Sequence, residues 1–199
     1  MILIGAGGHA KVISDILLLS NIIVSSYYDD RDLGIFNSIP VYTPIATIPE
    51  NSNVIIAIGF NSIRKHIVVS LPQLNYKMAI HPKSVLDKSV LIGLGSVVMA
   101  SATINNATSI GAHCIINTSS SIDHDCILGD FVHISPGAIL CGNVTISEGT
   151  QIGAGAVVCP NLRIGKWVTI GAGAVIINDI PDYAVVVGNP GKIIKYNEK

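Results

Sequence analysis

From Val85 to Ile180 the chain divides into sixteen hexapeptides in unbroken register, and the second residue of each one is aliphatic, from Leu86, Ile92 and Val98 through to Ile170 and Ile176. A period of six fits neither a 3.6-residue helix nor the two-residue repeat of a strand. It fits a parallel β-helix, in which each hexapeptide is one short strand and one turn and three hexapeptides make a coil. Residues 18 apart then stack in one column. The second and sixth positions are expected to face inward, and the first, fourth and fifth outward. The third position is often Gly, Asp or Asn (Asp87, Gly93, Asn105, Gly111, Asp123, Gly129), types that tolerate the tight or left-handed backbone of a corner.

The 199 residues suffice for one large or two small domains. A net charge of −1 with 13% charged residues argues against a nucleic-acid surface and an acidic tail. Mean hydropathy is +0.57, yet the apolar residues are scattered at period six, and no run approaches the roughly 20 residues of a bilayer helix. Met1-Ile2-Leu3-Ile4-Gly5 lacks the basic flank of a signal peptide and reads as a strand that starts the fold. The four cysteines, Cys114, Cys126, Cys141 and Cys159, show no CxxC spacing. Cys114 and Cys126 hold sixth positions and read as core residues. Cys141 and Cys159 are stacked neighbours, expected reduced in a cytoplasmic protein.

Residues 1–80 have a different pattern. Ile2-Leu3-Ile4 is a buried-strand run, followed by the loop Gly5-Ala6-Gly7-Gly8-His9-Ala10. Lys11 to Leu19 has helical spacing, with Val12, Ile16 and Leu19 on one side. Ile22 to Tyr28 and Val54 to Ile58 read as strands. Asn61 is placed to cap a helix carrying Ile63, Ile67 and Val69, and Tyr76 to Ile80 reads as a last strand. This alternation predicts a small α/β, Rossmann-like domain over 1–80, too short for a full dinucleotide fold. An all-β helix over 81–199 follows, with Pro181 stopping the repeat and Asp182 to Lys199 folding back over its open end. The Gly5-x-Gly7-x-x-Ala10 turn, between a strand and a helix, is a phosphate-binding signal, because glycines admit an anion to free N–H groups. Asp29 and Asp30, ending the second strand, suit ribose or base contacts. A tight turn with solvated aspartates is the plainer reading of the same residues.

Four segments carry a closer likeness: Gly5-Ala6-Gly7-Gly8-His9; Asp29-Asp30; Ala57-Ile58-Gly59-Phe60-Asn61-Ser62-Ile63-Arg64; and Asn117-Thr118-Ser119-Ser120-Ser121-Ile122-Asp123-His124-Asp125-Cys126. Together with the hexapeptides they resemble the sugar acetyltransferases of the PglD/NeuD type, left-handed β-helix acyltransferases of bacterial surface-glycan assembly. The resemblance covers essentially the whole chain. It implies a left-handed helix, a homotrimer, acetyl-CoA as co-substrate and a nucleotide-linked amino sugar as acceptor. It also implies nucleotide-sugar contacts from Gly5, Gly7, Gly8, His9, Asp29, Asp30, Gly59, Asn61 and Arg64.

His124 is the candidate base. It holds a fourth position, at an outward corner, between Asp123 and Asp125. A carboxylate orients an imidazole and favours its protonated form, and acetyl transfer to an amine needs a base for the amine proton. The resemblance gives the assisting role to Asp125, with Asp123 the rival partner. A solvated corner histidine is the alternative. Gly142, 18 residues on, is expected in the same column, where its N–H could stabilise an oxyanion. His133 holds a first position, on an outward strand face, and the resemblance places it near acetyl-CoA. Gly153-Ala154-Gly155-Ala156 and Gly171-Ala172-Gly173-Ala174 are 18 apart and nearly free of side chains, so Ala154 and Ala172 are expected along the pantetheine arm. Gly188-Asn189-Pro190-Gly191-Lys192 resembles the family's tail motif, with Lys192 toward a CoA phosphate. Trp167 at a corner reads equally as an adenine platform or an interface residue. His113, His124 and His133, spaced by 11 and 9, do not match a histidine zinc site, and no metal is expected.

The leading expectation is therefore N-acetylation of the 4-amino group of a nucleotide-linked (UDP by preference) 4-amino-4,6-dideoxy sugar. O-acetylation of sialic acid or a similar sugar is the alternative. A non-catalytic nucleotide-sugar-binding scaffold is a third, against which His124 and the glycine loop argue. No nucleic-acid or membrane partner is expected.

Overall fold

The structure is a computed structural model and describes residues 1–198. The chain opens with a parallel sheet. Strand β1 (Ile2–Ile4) lies at its centre, flanked by β2 (Ser26–Tyr28) and β5 (Asn53–Ile56). β3 (Ile35–Phe36), β4 (Ile39–Tyr42) and β6 (Asn75–Tyr76) complete the order β3-β4-β2-β1-β5-β6.

The β3–β4 hairpin was not expected. Asn37 and Ser38 both have positive φ, the backbone that a two-residue hairpin turn demands, so Asn-Ser between Phe36 and Ile39 was the signal for it. The second strand is also shorter than Ile22–Tyr28, beginning at Ser26.

Helix α1 (Gly8–Leu19) buries Ala10, Ile13, Ile16 and Leu17, while Val12 and Leu19 are exposed. Of the expected face only Ile16 is buried, because α1 has two neighbours. It packs on its own sheet and on Ala79, Val97 and Ile115 of the repeat, in one continuous apolar cluster. Helix α2 (Asn61–Ser70) buries Ile67 alone among its expected apolar residues; Arg64 and Asn61 are the other buried positions.

The repeat folds as a parallel β-helix with three faces. The first face begins at Ala79–Ile80 and passes through Val97–Val98, Ile115–Ile116, His133–Ile134 and Gln151–Ile152 to Thr169–Ile170. The second runs from Val85–Leu86 to Val175–Ile176 and the third from Leu91–Ile92 to Arg163–Ile164. The register is strictly 18, as Ile116 on Ile134 and Ile134 on Ile152 illustrate. From Val98 onward every second position is buried; only Leu86 and Ile92, near the amino-terminal end, are partly exposed. Sixth positions share the interior, including Cys114 and Cys126. Where they carry hydroxyls, those are bonded to backbone: Ser96 Oγ donates to Gly111 O (2.9 Å) and accepts from Cys114 N–H (2.9 Å).

The left-handed backbone falls at the fifth position, not the third. Ser101, Ala107, His113, Ser119, Asp125, Phe131, Asn143, Asn161 and Trp167 all have φ between +54° and +63°. Third-position glycines are small for another reason. A β-carbon on Gly93 would lie 2.5 Å from Ala112 N, and one on Gly111 2.6 Å from Gly129 C, so the next coil occupies the space.

The strand expected over Tyr76–Ile80 is two strands. Asn75–Tyr76 joins the amino-terminal sheet and Ala79–Ile80 starts the β-helix. Ile80 is one more aliphatic second position. At the other end Pro181 does not stop the stack. Ala184–Val187 adds a further parallel rung beside Thr169–Ile170, and only Lys192–Tyr196 folds back, antiparallel to that rung. No helix among the described residues is long and apolar enough to cross a membrane.

Candidate active site

The amino-terminal domain sits on the first face and on the corner between the third and first faces. His124 lies at the corner between the second and third faces, which in a three-sided coil is the corner opposite the first face. The two halves of the expected site are therefore on opposite sides of one chain.

At the His124 corner, Nδ1 is 2.7 Å from Asp125 Oδ2. Asp123 Oδ1 instead accepts the backbone N–H of His124 (2.9 Å) and Asn105 Nδ2 (2.8 Å). In this geometry Asp123 bonds the turn and Asp125 bonds the ring. The left-handed backbone of Asp125 (φ +59°) belongs to the turn that carries both residues. Its hydrogen bond raises the His124 pKa above the ordinary value, with a smaller contribution from the Asp123 charge. Nε2 makes no hydrogen bond within the described residues. Gly142 lies under the ring: a β-carbon there would be 2.7 Å from both Cε1 and Nε2. The Gly142 N–H donates to no acceptor among the described residues, whereas its neighbours Cys141 and Asn143 donate to Val158 O and His124 O.

The glycine loop connects β1 to α1. Gly5 has φ +102°, and a β-carbon there would strike Ile58 Cγ1 at 2.8 Å. Gly7 and Gly8 face open space. No side chain caps α1 at Gly7, so its first N–H groups are free for an anion. A cleft of about 400 Å³ is lined by this loop, His9, Asp29, Arg31, Gly59 and Phe60. A neighbouring one of about 360 Å³ lies between Asp29, Asp30, Ile45 and Ile58 and the α2 residues Ile63, His66 and Ile67.

Asp29 is not a free acid. Its Oδ2 accepts Ala6 N–H (2.9 Å), and both oxygens accept from the Arg31 guanidinium (2.8 and 2.9 Å). The Arg31 side-chain bond is the largest influence holding the carboxyl pKa down to about 2, against a desolvation that opposes it. Asp29 therefore shapes the loop, and Arg31, which sequence reading passed over, lies at the cleft beside it. Asp30 is exposed and accepts Ile45 N–H (3.0 Å).

Two more assignments change. Asn61 does not cap α2: Phe60 is the N-cap residue, and Asn61 Nδ2 donates to Gly149 O of the β-helix (2.9 Å). Arg64, at 1% exposure, lies inside the domain junction and donates to four backbone carbonyls rather than facing the open cleft.

His133 is buried beneath the amino-terminal domain instead of lying on an open face. Its Nε2 is 3.1 Å from Asn117 Nδ2, and through Asn117 it reaches the corner between the first and second faces. Burial, then the charge of Arg64, lowers its pKa to about 3, and the same two causes bring His9 to about 4. Both rings are thus neutral near pH 7. His113 is a core ring, stacked on Phe131 at 5.2 Å and edge-on to Tyr76 at 4.8 Å. No group of three or more metal-ligating side chains occurs among the described residues.

Ala154 and Ala172 are exposed at the first–second corner, beside Gly137, Gly155 and Gly173, whose β-carbon positions face open space. The stripe ends at the turn before Lys192, where Gly191 N–H bonds Val175 O (2.8 Å). Trp167 packs over Gly149 with Lys65 Nζ 5.3 Å from its ring, at the third–first corner, away from that stripe.

Comparison with known proteins bears on these features. Residues 1–71 match the PglD N-terminal domain, and residues 143–178 match the bacterial transferase hexapeptide (six repeats). The acetyltransferase domain of PglB from Neisseria gonorrhoeae, solved with acetyl coenzyme A, is 40% identical over 97% of this chain and 98% of that one, with a TM-score of 0.91. PerB from Caulobacter crescentus, solved with CoA and GDP-perosamine, is 35% identical over 98% and 96%, with a TM-score of 0.93. A UDP-N-acetylbacillosamine N-acetyltransferase of Bacillus subtilis is 38% identical over 108 residues; the match spans 49% of this chain and half the length of that relative.

Proposed function

The chain belongs to the PglD-type family of hexapeptide-repeat sugar acetyltransferases, and we propose that it moves the acetyl group of acetyl-CoA to the 4-amino group of a nucleotide-linked 4-amino-4,6-dideoxy sugar in bacterial surface-glycan synthesis. The observation that carries this reading is the His124–Asp125 pair, with Nε2 unengaged and Gly142 beneath the ring.

The chemistry follows from that pair. The sugar amine attacks the thioester carbonyl, and Nε2 takes the amine proton as the C–N bond forms. The carbonyl oxygen, now negative, accepts the Gly142 N–H. Collapse breaks the C–S bond, and the imidazolium returns its proton to the departing thiolate. Asp125 stabilises the imidazolium and fixes the tautomer that leaves Nε2 as acceptor. No metal and no acyl-enzyme are needed.

A second copy of the chain completes the site. His124 faces away from its own glycine loop, so a nucleotide sugar held there meets the His124 corner of a neighbour. A homotrimer about the second face meets this need. That face presents Val85, Thr103, Ser121, Ile139, Val157 and Val175, none of them charged. The first–second corner of one subunit, with Ala154, Ala172 and Lys192, then forms the acetyl-CoA groove against the neighbour's His124 and Gly142. Gly5, Gly7, Gly8 and His9 receive the diphosphate, and Asp30 and the cleft beside α2 receive the nucleoside. Both co-substrates are cytoplasmic metabolites, and the protein acts there.

The test is thiol release from acetyl-CoA with UDP-, GDP- and dTDP-linked 4-amino sugars beside sialic acids. Turnover with one nucleotide amino sugar is expected. Turnover with sialic acids alone would replace this reading with O-acetylation.

A further inference from the structure

Arg64 is an arginine with no carboxylate partner among the described residues. Its guanidinium is fully buried, and burial lowers its pKa to about 10. Nε donates to His113 O (3.1 Å) and one terminal nitrogen to Phe131 O (3.0 Å). The other donates to Gly59 O (2.9 Å) and Ile58 O (3.3 Å). Burying an unpaired cation is expensive, so its hydrogen bonds must be well made for the fold to hold it.

The four carbonyls come from three separate stretches of chain. His113 and Phe131 are the left-handed fifth-position residues of two successive coils, with their rings stacked. Ile58 and Gly59 form the turn after β5. That turn backs the glycine loop, since Ala57 O and Ile58 Cγ1 block a β-carbon on Gly5, and it lines the same cleft. One planar fork therefore ties the wall of the cleft to two rungs of the β-helix. A lysine ammonium is a compact point donor on a flexible stem and cannot match a planar fork of this span.

We propose that Arg64 is a positioning residue that sets where the nucleotide-sugar cleft stands on the β-helix, and so how the acceptor amine is presented to the transferring histidine. This rests on the assignment of the cleft to the nucleotide sugar. Asn61 and Lys65 reach the next coil in parallel, to Gly149 O and Glu148 Oε1, but neither side chain bonds a residue of the cleft wall. Arg64 alone among these three holds both sides.

The experiment compares Arg64→Lys with wild type in the full-length protein. Amide exchange at residues 57–61 is expected to speed up at least tenfold, while the coils from 133 to 176 keep their protection. The KM for the nucleotide sugar is expected to rise about tenfold or more, with the KM for acetyl-CoA within twofold. Millimolar ethylguanidinium is expected to restore part of the lost kcat/KM in Arg64→Ala. Unchanged exchange at 57–61 in Arg64→Lys would overturn the proposal, and so would equal rises in both KM values. The exchange readout needs no ligand. A wild type that binds neither UDP nor GDP would therefore refute the function assigned to the cleft while leaving the anchor itself under test.

Discussion

The His124 imidazole occupies the space that a side chain on Gly142, one coil further on, would need. The glycine is thus required by the histidine above it as well as by any ligand below. The obstructing atoms are the far end of an exposed side chain, so Gly142→Ala displaces the ring and leaves the backbone in place. Activity is expected to fall about 10²-fold or more, as for loss of a positioned base, with the thermal midpoint nearly unchanged. A large drop in midpoint would show that the glycine serves the coil instead.

His124→Ala is expected to lower kcat by about 10²–10⁴-fold, the usual worth of a general base, with both KM values little changed. An unchanged kcat would remove His124 from the chemistry.

Because the neutral ring is the base, activity rises with pH through the His124 pKa. Asp125 raises that value, so the acid limb should lie above the ordinary histidine value. Asp125→Asn favours the protonated ring less, and should shift the limb to lower pH while reducing the maximum rate. A limb unmoved in the variant would return Asp123 to contention.

Asp29 makes a prediction about stability. Its folded pKa, about 2, lies below the unfolded value near 3.8. Its contribution is complete above the unfolded value and is lost as pH falls toward 2. Since Arg31 is largely exposed, screening trims the effect to on the order of 1 kcal/mol. Urea midpoints of wild type and Asp29→Asn should differ at pH 7 and converge toward pH 2. Parallel curves would mean that the Asp29 carboxylate contributes nothing.

Glycines at the third and fifth positions should respond differently. Gly111→Ala places a β-carbon against the Gly129 and Asp130 backbone, and separating two coils is expected to cost about 3 kcal/mol, the upper range for overpacking. Gly155→Ala meets open space at φ +64° and should cost about 1–2 kcal/mol of left-handed strain. Denaturant titration ranks the two, and the reverse order would contradict the reason given for third-position glycines.

Periodicity made the β-helix legible because each face repeats an aliphatic second position every 18 residues. It also placed His124 and Gly142 together, since both hold a fourth position 18 apart. It put His133 on an outer face but did not foretell its burial, because an outward position in the repeat says nothing about what covers that face. The resemblance offered Arg64 as a ligand residue alongside Gly59, which lines the cleft, but a motif match does not show that the Arg64 side chain turns into the junction. Val12 and Leu19 were misread because an amphipathic pattern assumes one buried side, and α1 has two. The partners of Asp29 and Asn61 depend on long-range geometry that local propensity does not encode.

The strict 18-residue register limits how this chain can change length. Inserting a whole coil between Ile116 and His124 would lengthen the stack and keep the histidine on its corner. Inserting a single hexapeptide would turn everything beyond it by a third of a revolution. His124 would then stand on a different edge of the prism, with its glycine still beneath it but turned away from the corner where the proposed trimer needs it. Families built this way should therefore vary by multiples of three hexapeptides on the stretch between the two ligand sites, and freely only at the ends.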